Sequence, residues 1–252
     1  MREDVMRAVE GGSGQAASGI DEGRPGESLP LTGMRRSIAD NMARSARTVA
    51  RVVLFAEVDM TRAVAYRNEN RALFTGEVGA DLSYNALLVK ATAAAMREDP
   101  VLNVSLEGGA IRRHGDIHIG LAVALEEGLI TVSIKRADEK DLRLIAKESA
   151  ALIEKAQAGR LEVDDVTGSS LTISSLGGFE IDSFTPVINL PEAAILGVGT
   201  VVDRPVVKSG KIEVAPILKL SLSFDHRIVD GAPAARFLQL LKRKLETLDF
   251  LD

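Results

Sequence analysis

Leu220-Ser-Leu-Ser-Phe-Asp-His-Arg-Ile-Val-Asp-Gly231 is a strand that ends on chemistry. Leu220, Leu222 and Phe224 recur every second residue, the period of a strand with one apolar face. The alternation stops at Asp225-His226-Arg227. A Gly-Ala-Pro helix start follows, with Pro233 in a first turn, where proline is tolerated. A histidine on a short turn at a strand end is where an α/β enzyme holds a general base. The alternative is a polar cap bonded to a loop carbonyl. Asp230, four residues on, tips the balance, because a base needs a fixed tautomer and an orienting neighbour.

Working outward, Ala193–Val201 and Ile217–Phe224 read as long apolar strands buried in a sheet. Phe237, Leu241, Leu245 and Leu248 give the last helix its core stripe. Upstream, Leu171-Thr-Ile-Ser-Ser-Leu-Gly-Gly178 is a strand that carries two serines into a glycine turn. Adjacent strand residues face opposite ways, so Ser174 and Ser175 point to different faces. Such a hydroxyl is most often a structural hydrogen bond; beside a histidine base it serves a developing oxyanion. Asp141 opens a helix with Leu142, Ile145, Leu152, Ile153 and Ala156 on one face. Strands are expected at 103–107, 111–113, 116–124 and 129–134. Ser83 caps a helix that runs through Ala95 and ends at Asp99-Pro100. Arg51–Asp59 alternates as a strand, Thr61 starts a helix, and Leu31–Val49 has helical spacing. The fold class is α/β, mostly strands with a few helices.

Residues 2–9 read as one or two helical turns. Residues 11–29 are rich in Gly, Ser, Ala, Pro and acids without an apolar period, as in a flexible linker. The ordered part is expected over 30–252. Zero cysteine excludes disulfides, thiolate metal sites and a cysteine nucleophile, and fits a reducing compartment. No signal-peptide core or membrane span is apparent, so a cytoplasmic location is expected. A net charge of −5, 4% aromatics and no Trp argue against nucleic acid as a partner. His114 and His118 lack a clustered third ligand, so no metal is expected. There is no P-loop, no dinucleotide Gly-x-Gly-x-x-Gly and no Gly-x-Ser-x-Gly elbow.

The two constellations, in this order, resemble the catalytic core of the dihydrolipoamide acyltransferases of 2-oxo acid dehydrogenase complexes. The resemblance rests on Ser223-Phe-Asp-His-Arg-Ile-Val-Asp-Gly231, Leu171-Thr-Ile-Ser-Ser-Leu-Gly177 and, between them, Phe184-Thr-Pro-Val-Ile-Asn-Leu-Pro-Glu-Ala-Ala-Ile-Leu-Gly-Val-Gly199. Pro30-Leu-Thr-Gly-Met-Arg-Arg-Ser-Ile-Ala-Asp-Asn-Met-Ala-Arg-Ser45 and Gly128-Leu-Ile130 match as well. Residues 1–10 resemble the end of a peripheral-subunit-binding domain, followed by the linker at 11–29.

The resemblance implies a chloramphenicol-acetyltransferase-like mixed-sheet sandwich with flanking helices, forming homotrimers that build larger cages. It implies acyl transfer between dihydrolipoamide and coenzyme A, most similar to the pyruvate type and hence acetyl. The lipoyl group would come on a lipoyl domain absent from this sequence. The implied partners are the dehydrogenase (decarboxylase) and dihydrolipoamide dehydrogenase components. His226 would be the base, Ser174 the oxyanion donor from a neighbouring subunit, and Asp230 the residue fixing the loop and histidine. Arg67, Ser83, Ser175 and Gly199 fall at coenzyme A positions; for Arg67 and Ser83 a solvated helix charge and an N-cap are the competing readings. Departures from the family pattern are Ala50-Arg51, Thr131-Val132, Glu180 in place of a usual glycine, and the acidic end Leu-Asp-Phe-Leu-Asp252. The alternatives are a branched-chain, 2-oxoglutarate or acetoin acyltransferase, a non-catalytic scaffold of the same fold, and a free-standing O- or N-acetyltransferase.

Overall fold

The computed structural model describes residues 26, 28, 30–125 and 128–251. The expected helical scrap at 2–9, and the linker apart from residues 26 and 28, lie outside the described residues.

A six-stranded mixed sheet has the order β1-β8-β7-β6-β4-β5. Its strands are β1 (Arg51–Asp59), β4 (Ile119–Leu125), β5 (Gly128–Ile134), β6 (Leu171–Ser175), β7 (Ala194–Lys208) and β8 (Lys211–Asp225). β6 runs parallel to both of its neighbours, and the other pairings are antiparallel. A two-stranded ribbon, β2 (Val104–Glu107) with β3 (Ala110–Arg113), stands apart. The helices are α1 (Gly33–Thr48), α2 (Thr61–Leu73), α3 (Tyr84–Glu98), α4 (Leu142–Gln157) and α5 (Gly231–Thr247).

The register sorts the sheet residues onto two unlike faces. Ile119, Leu121, Leu171, Ile173, Leu196, Leu220, Leu222 and Phe224 lie on one face and are buried. Helices α2 to α5 close over it. The chain's last aromatic, Phe250, is buried in the same core. α3 is the innermost helix, buried from Ala86 to Met96 except at Lys90 and Ala94, which is why it reads as nearly continuous apolar sequence rather than a stripe. Ser133, Gly120, Thr172, Ser174, Gly197, Ser221 and Ser223 occupy the opposite face.

That small, polar face is covered by irregular chain rather than by an apolar layer. The segment 184–192 lies on it: Ser221 donates to the Phe184 carbonyl (2.6 Å), and Thr172 Oγ1 donates to Glu192 (2.7 Å). α1 is fastened to the segment from outside, through Ser45 Oγ to the Ile188 carbonyl (2.7 Å) and Asn41 Nδ2 to Asn189 Oδ1 (3.2 Å).

Most elements fall where the sequence placed them. β7 and β8 do not: both run well past their expected ends, to Lys208 and back from Lys211, as a long hairpin. The extension pairs with no third strand beyond Asp59↔Ile217, and of its residues only Ala215 is buried. Alternation is therefore lost, and Pro205 reads as a breaker. The turn residues Ser209 (φ 50°) and Gly210 (φ 80°) adopt the two positive φ values of a type I′ hairpin.

Candidate active site

β8 delivers His226 to the end of the sheet. Its backbone N–H donates to the Ala50 carbonyl (2.9 Å), pinning the turn to the entry of β1. The turn is braced from within by Asp225. Oδ1 accepts from Arg227 Nε (2.9 Å), Oδ2 accepts from Arg227 Nη2 (2.6 Å), and the Arg227 N–H donates to Oδ1 (3.1 Å). Burial alone would push the Asp225 carboxyl up. The Arg227 bonds outweigh burial and hold it below its usual range, so it stays ionised. The imidazole tilts against Phe224, 5.7 Å between ring centroids, and is 43% exposed. Asp230 sits at the N-cap of α5 without capping it. Its Oδ1 is 3.8 Å from His226 Nδ1, inside ion-pair range and outside hydrogen-bond range, and the carboxylate is 84% exposed.

Ser174 and Ser175 end β6, half-buried, on opposite faces as expected. Neither hydroxyl has a hydrogen-bond partner among the described residues; Ser133 and Ser223 of the same sheet also have none, but they are fully buried, whereas Ser174 and Ser175 are half-buried at a strand end. The structure does not bring Ser174 to His226 within one chain. Ser174 is level with Gly197, and Gly197 with Ser221, five residues before the histidine. At the strand rise this is about 17 Å along β8, with two strand spacings to add across the sheet.

The expected coenzyme A residues are engaged by the chain itself. Ser83 caps α3, accepting from Ala86 N (3.2 Å). Arg67 donates from Nε to the Leu82 carbonyl (2.8 Å), pairs with Asp81 (3.4 Å) and lies over the Tyr84 ring, 4.9 Å from its centroid. Gly199 sits in a bulge of β7, where the register slips between Val198 and Val201. An added Cβ there would stand 2.8 Å from the Asp182 carbonyl carbon and nearer still to its oxygen. The glycine lets segment 181–182 cross β7, and Thr200 N donates to the Ile181 carbonyl (2.8 Å). Glu180 has φ 59°, a left-handed conformation that glycine adopts without a side-chain penalty.

The other two histidines have local work. His114 Nε2 meets Ser105 Oγ (3.0 Å), and His118 Nδ1 accepts from the backbone of Arg136, itself at φ 43°. No cluster of potential metal ligands occurs among the described residues, and no described helix is long and apolar enough to cross a membrane. Sequence reasoning missed one buried acid, Glu192, 5% exposed and with its pKa pushed up to about 8 by burial. A lone carboxylate between Pro191 and Ala193-Ala194-Ile195 was the available signal.

The pattern of the 2-oxoacid dehydrogenases acyltransferase family (catalytic domain) matches residues 23–251. The chain belongs to this family. Among its acyltransferase relatives, the lipoamide acyltransferase component of the branched-chain alpha-keto acid dehydrogenase complex of Bacillus subtilis is 41% identical over 222 residues, which are 88% of this chain and 52% of that protein. The acetyltransferase component of the pyruvate dehydrogenase complex of the same organism is 37% identical over 97% of this chain and 60% of its own length. The chain thus spans little more than half of the curated relatives it matches. Dihydrolipoamide acetyltransferase of Azotobacter vinelandii superposes with a TM-score of 0.86 at 37% identity, covering 89% of this chain and 93% of that one. That structure was solved to examine one serine, one histidine and one asparagine in catalysis. Chloramphenicol acetyltransferase shares the acyltransferase fold at 15% identity and a TM-score of 0.50, covering 90% of this chain and 99% of that one.

Proposed function

We propose that this chain transfers an acyl group between dihydrolipoamide and coenzyme A at sites shared by neighbouring copies, as the oligomeric core of a 2-oxo acid dehydrogenase complex. The observation that carries the proposal is the pairing of an exposed histidine with a partnerless serine hydroxyl too distant to act on one substrate in one chain. A symmetric ring brings one copy's His226 to another's Ser174. In support, the serine and histidine studied in the Azotobacter vinelandii enzyme have the same spacing as Ser174 and His226, and its asparagine follows that histidine by four residues, as Asp230 follows His226.

The chemistry follows from these groups. A thiol with a pKa of about 8.5 is only a few per cent thiolate at neutral pH. His226 takes the thiol proton as sulfur bonds to the thioester carbonyl carbon. The carbonyl oxygen becomes an oxyanion, to which Ser174 Oγ–H donates. Collapse breaks the old carbon–sulfur bond, and the leaving sulfur recovers the proton from His226. The base contributes about 10²–10⁴-fold and the oxyanion donor about 10²–10³-fold. Asp230 orients the imidazole once the site closes, since its present separation is too long for a hydrogen bond.

Acetyl is the acyl group proposed, in a pyruvate-type complex; relatives serving branched-chain, acetoin and 2-oxoglutarate systems are comparably similar. Discrimination by one or two methylenes is about 1–3 kcal/mol and turns on few residues. Residues 30–252 are the catalytic core in this reading, tethered by the linker at 11–29 to a subunit-binding domain that ends near residue 10. Homotrimers join into a cage in the cytoplasm, with a lipoyl domain and both dehydrogenase components as partners. Arg67, Ser83, Ser175 and Gly199 border coenzyme A.

The test is acyl transfer to free dihydrolipoamide from acetyl-, succinyl- and isobutyryl-CoA, on protein of known mass by light scattering. Turnover with acetyl-CoA is expected. No turnover from an intact oligomer supports the scaffold alternative. Co-expressing His226→Ala with Ser174→Ala should restore about a quarter of the activity, because a randomly mixed ring rebuilds that share of its sites. No restoration would refute the shared site.

A further inference from the structure

Glu192 joins four elements. Its Oε1 accepts from Thr172 Oγ1 on β6 (2.7 Å) and from Asn189 Nδ2 (3.1 Å). Asn189 in turn accepts from Asn41 on α1. The backbone of Glu192 forms an isolated antiparallel bridge with Ser105 of β2, and β7 begins two residues later. The carboxyl is buried, and its Oε2 has no partner among the described residues. Thr172 and Ser174 are two apart on one strand and therefore share a face. The bond to Thr172 thus grips the strand on the side that carries the candidate oxyanion donor.

We propose that Glu192 is a positioning residue for the acyl transfer: it locks β6, and with it Ser174, to the 184–192 segment and to α1, which cover the same face. Burial supports this role by keeping the group protonated near neutrality, so the lock is a neutral hydrogen-bonded node rather than an ion pair. The polar groups bonded to it are Thr172 and Asn189. The ionisable groups behind its neighbours are His114 and Glu107 beyond Ser105, Arg44 beyond Asn41, and the Asp225–Arg227 pair, whose Asp225 N–H donates to the Ala193 carbonyl (2.9 Å). None of these bonds to the carboxyl. Ionisation at alkaline pH places an unpaired charge in the node and loosens it.

The inference rests on the proposed reaction, so two readouts are needed. In the kinetic one, Glu192→Ala lowers kcat about tenfold or more with KM within about twofold, because the oxyanion donor moves while substrate contacts remain. Glu192→Gln keeps the shape and neutrality and retains at least about half of kcat at pH 7. Relative to Glu192→Gln, wild-type kcat falls between about pH 7.5 and 9. In the structural readout, trypsin cuts α1 at Arg44 and Arg47, both exposed, about tenfold faster in Glu192→Ala than in wild type or Glu192→Gln. Circular dichroism confirms that each variant is folded. Equal proteolysis of all three proteins overturns the lock. Faster proteolysis of Glu192→Ala without a kcat defect overturns the link to Ser174. A wild type without turnover but with the expected proteolysis refutes the reaction while leaving the lock standing.

Discussion

Gly199→Ala adds one methyl group where the chain has left no room for it. The new carbon would sit 2.8 Å from the Asp182 carbonyl carbon and 3.1 Å from the Ile181 carbonyl oxygen. Both neighbours are backbone, so no side chain can rotate away; either segment 181–182 lifts or β7 bends. Lifting breaks the Thr200 N–H bond to Ile181 and disturbs Asp182, which is paired with Lys219 (2.7 Å) and with Arg204. Overpacking costs about 1–3 kcal/mol. The lost backbone bond adds about 1 kcal/mol, and the exposed ion pairs add little. At about 2–4 °C per kcal/mol for a domain of this size, the thermal midpoint should fall by roughly 4–16 °C. The control is Gly178→Ala in the neighbouring turn: no atom lies within 4 Å of its added Cβ, and its φ is not positive. Differential scanning calorimetry at one protein concentration, with circular dichroism, checks both. A Gly199→Ala midpoint within about 1 °C of wild type would refute the packing account and return Gly199 to a purely ligand-lining role.

Glu180→Gly should raise the midpoint by about 1–4 °C, since the side chain's left-handed penalty of about 1–2 kcal/mol exceeds glycine's entropy cost of about 0.5–1 kcal/mol; a calorimetric scan that shows a decrease contradicts this. Asp225→Asn should destabilise by about 1–3 kcal/mol in urea unfolding and lower turnover, because the turn holding His226 loses its charged brace; unchanged turnover would mean that the brace does not set the histidine. The raised pKa of Glu192 fixes a sign. Its stabilising contribution is complete below the ordinary carboxyl range near 4.5 and is lost as pH rises towards about 8. Midpoints measured from pH 5 to 8 should therefore fall more steeply for wild type than for Glu192→Gln, and parallel curves would count against the buried acid.

The legible parts of the fold are those in which one local rule agrees with the tertiary context. Arg51–Asp59 alternates because only one of its faces meets the helices. Ser83 and Asp141 both cap helices because their side chains reach the N–H three residues on. The His226 turn was legible because the apolar period stops there. What stayed hidden depended on contacts between distant segments. Gly199 reads as a channel glycine until segment 181–182 is seen lying across it. Arg67 reads as a helix charge until Leu82 and Tyr84 close around it. Glu192 is flagged only by the apolar run that follows it, and nothing in that run announces that Thr172 and Asn189 will meet it in the interior. The separation of Ser174 from His226 follows from strand order, which no local pattern encodes.

The long β7–β8 hairpin bears on how the subunit behaves in solution before it meets any partner. Beyond the last rung with β1, both outer edges of the ribbon show unpaired backbone groups, and Val207, Ile212 and Val214 are largely exposed. A β-branched ribbon with open edges invites lateral recruitment of other chains. Asp203, Arg204, Lys208, Lys211 and Glu213 punctuate it, with lysines on either side of the turn. Charges at such positions are the usual gatekeepers against lateral association, although Lys208 is also paired with Asp59. Neutralising Lys211, which makes no ion pair among the described residues, should therefore cost yield of dispersed protein well before it costs folding.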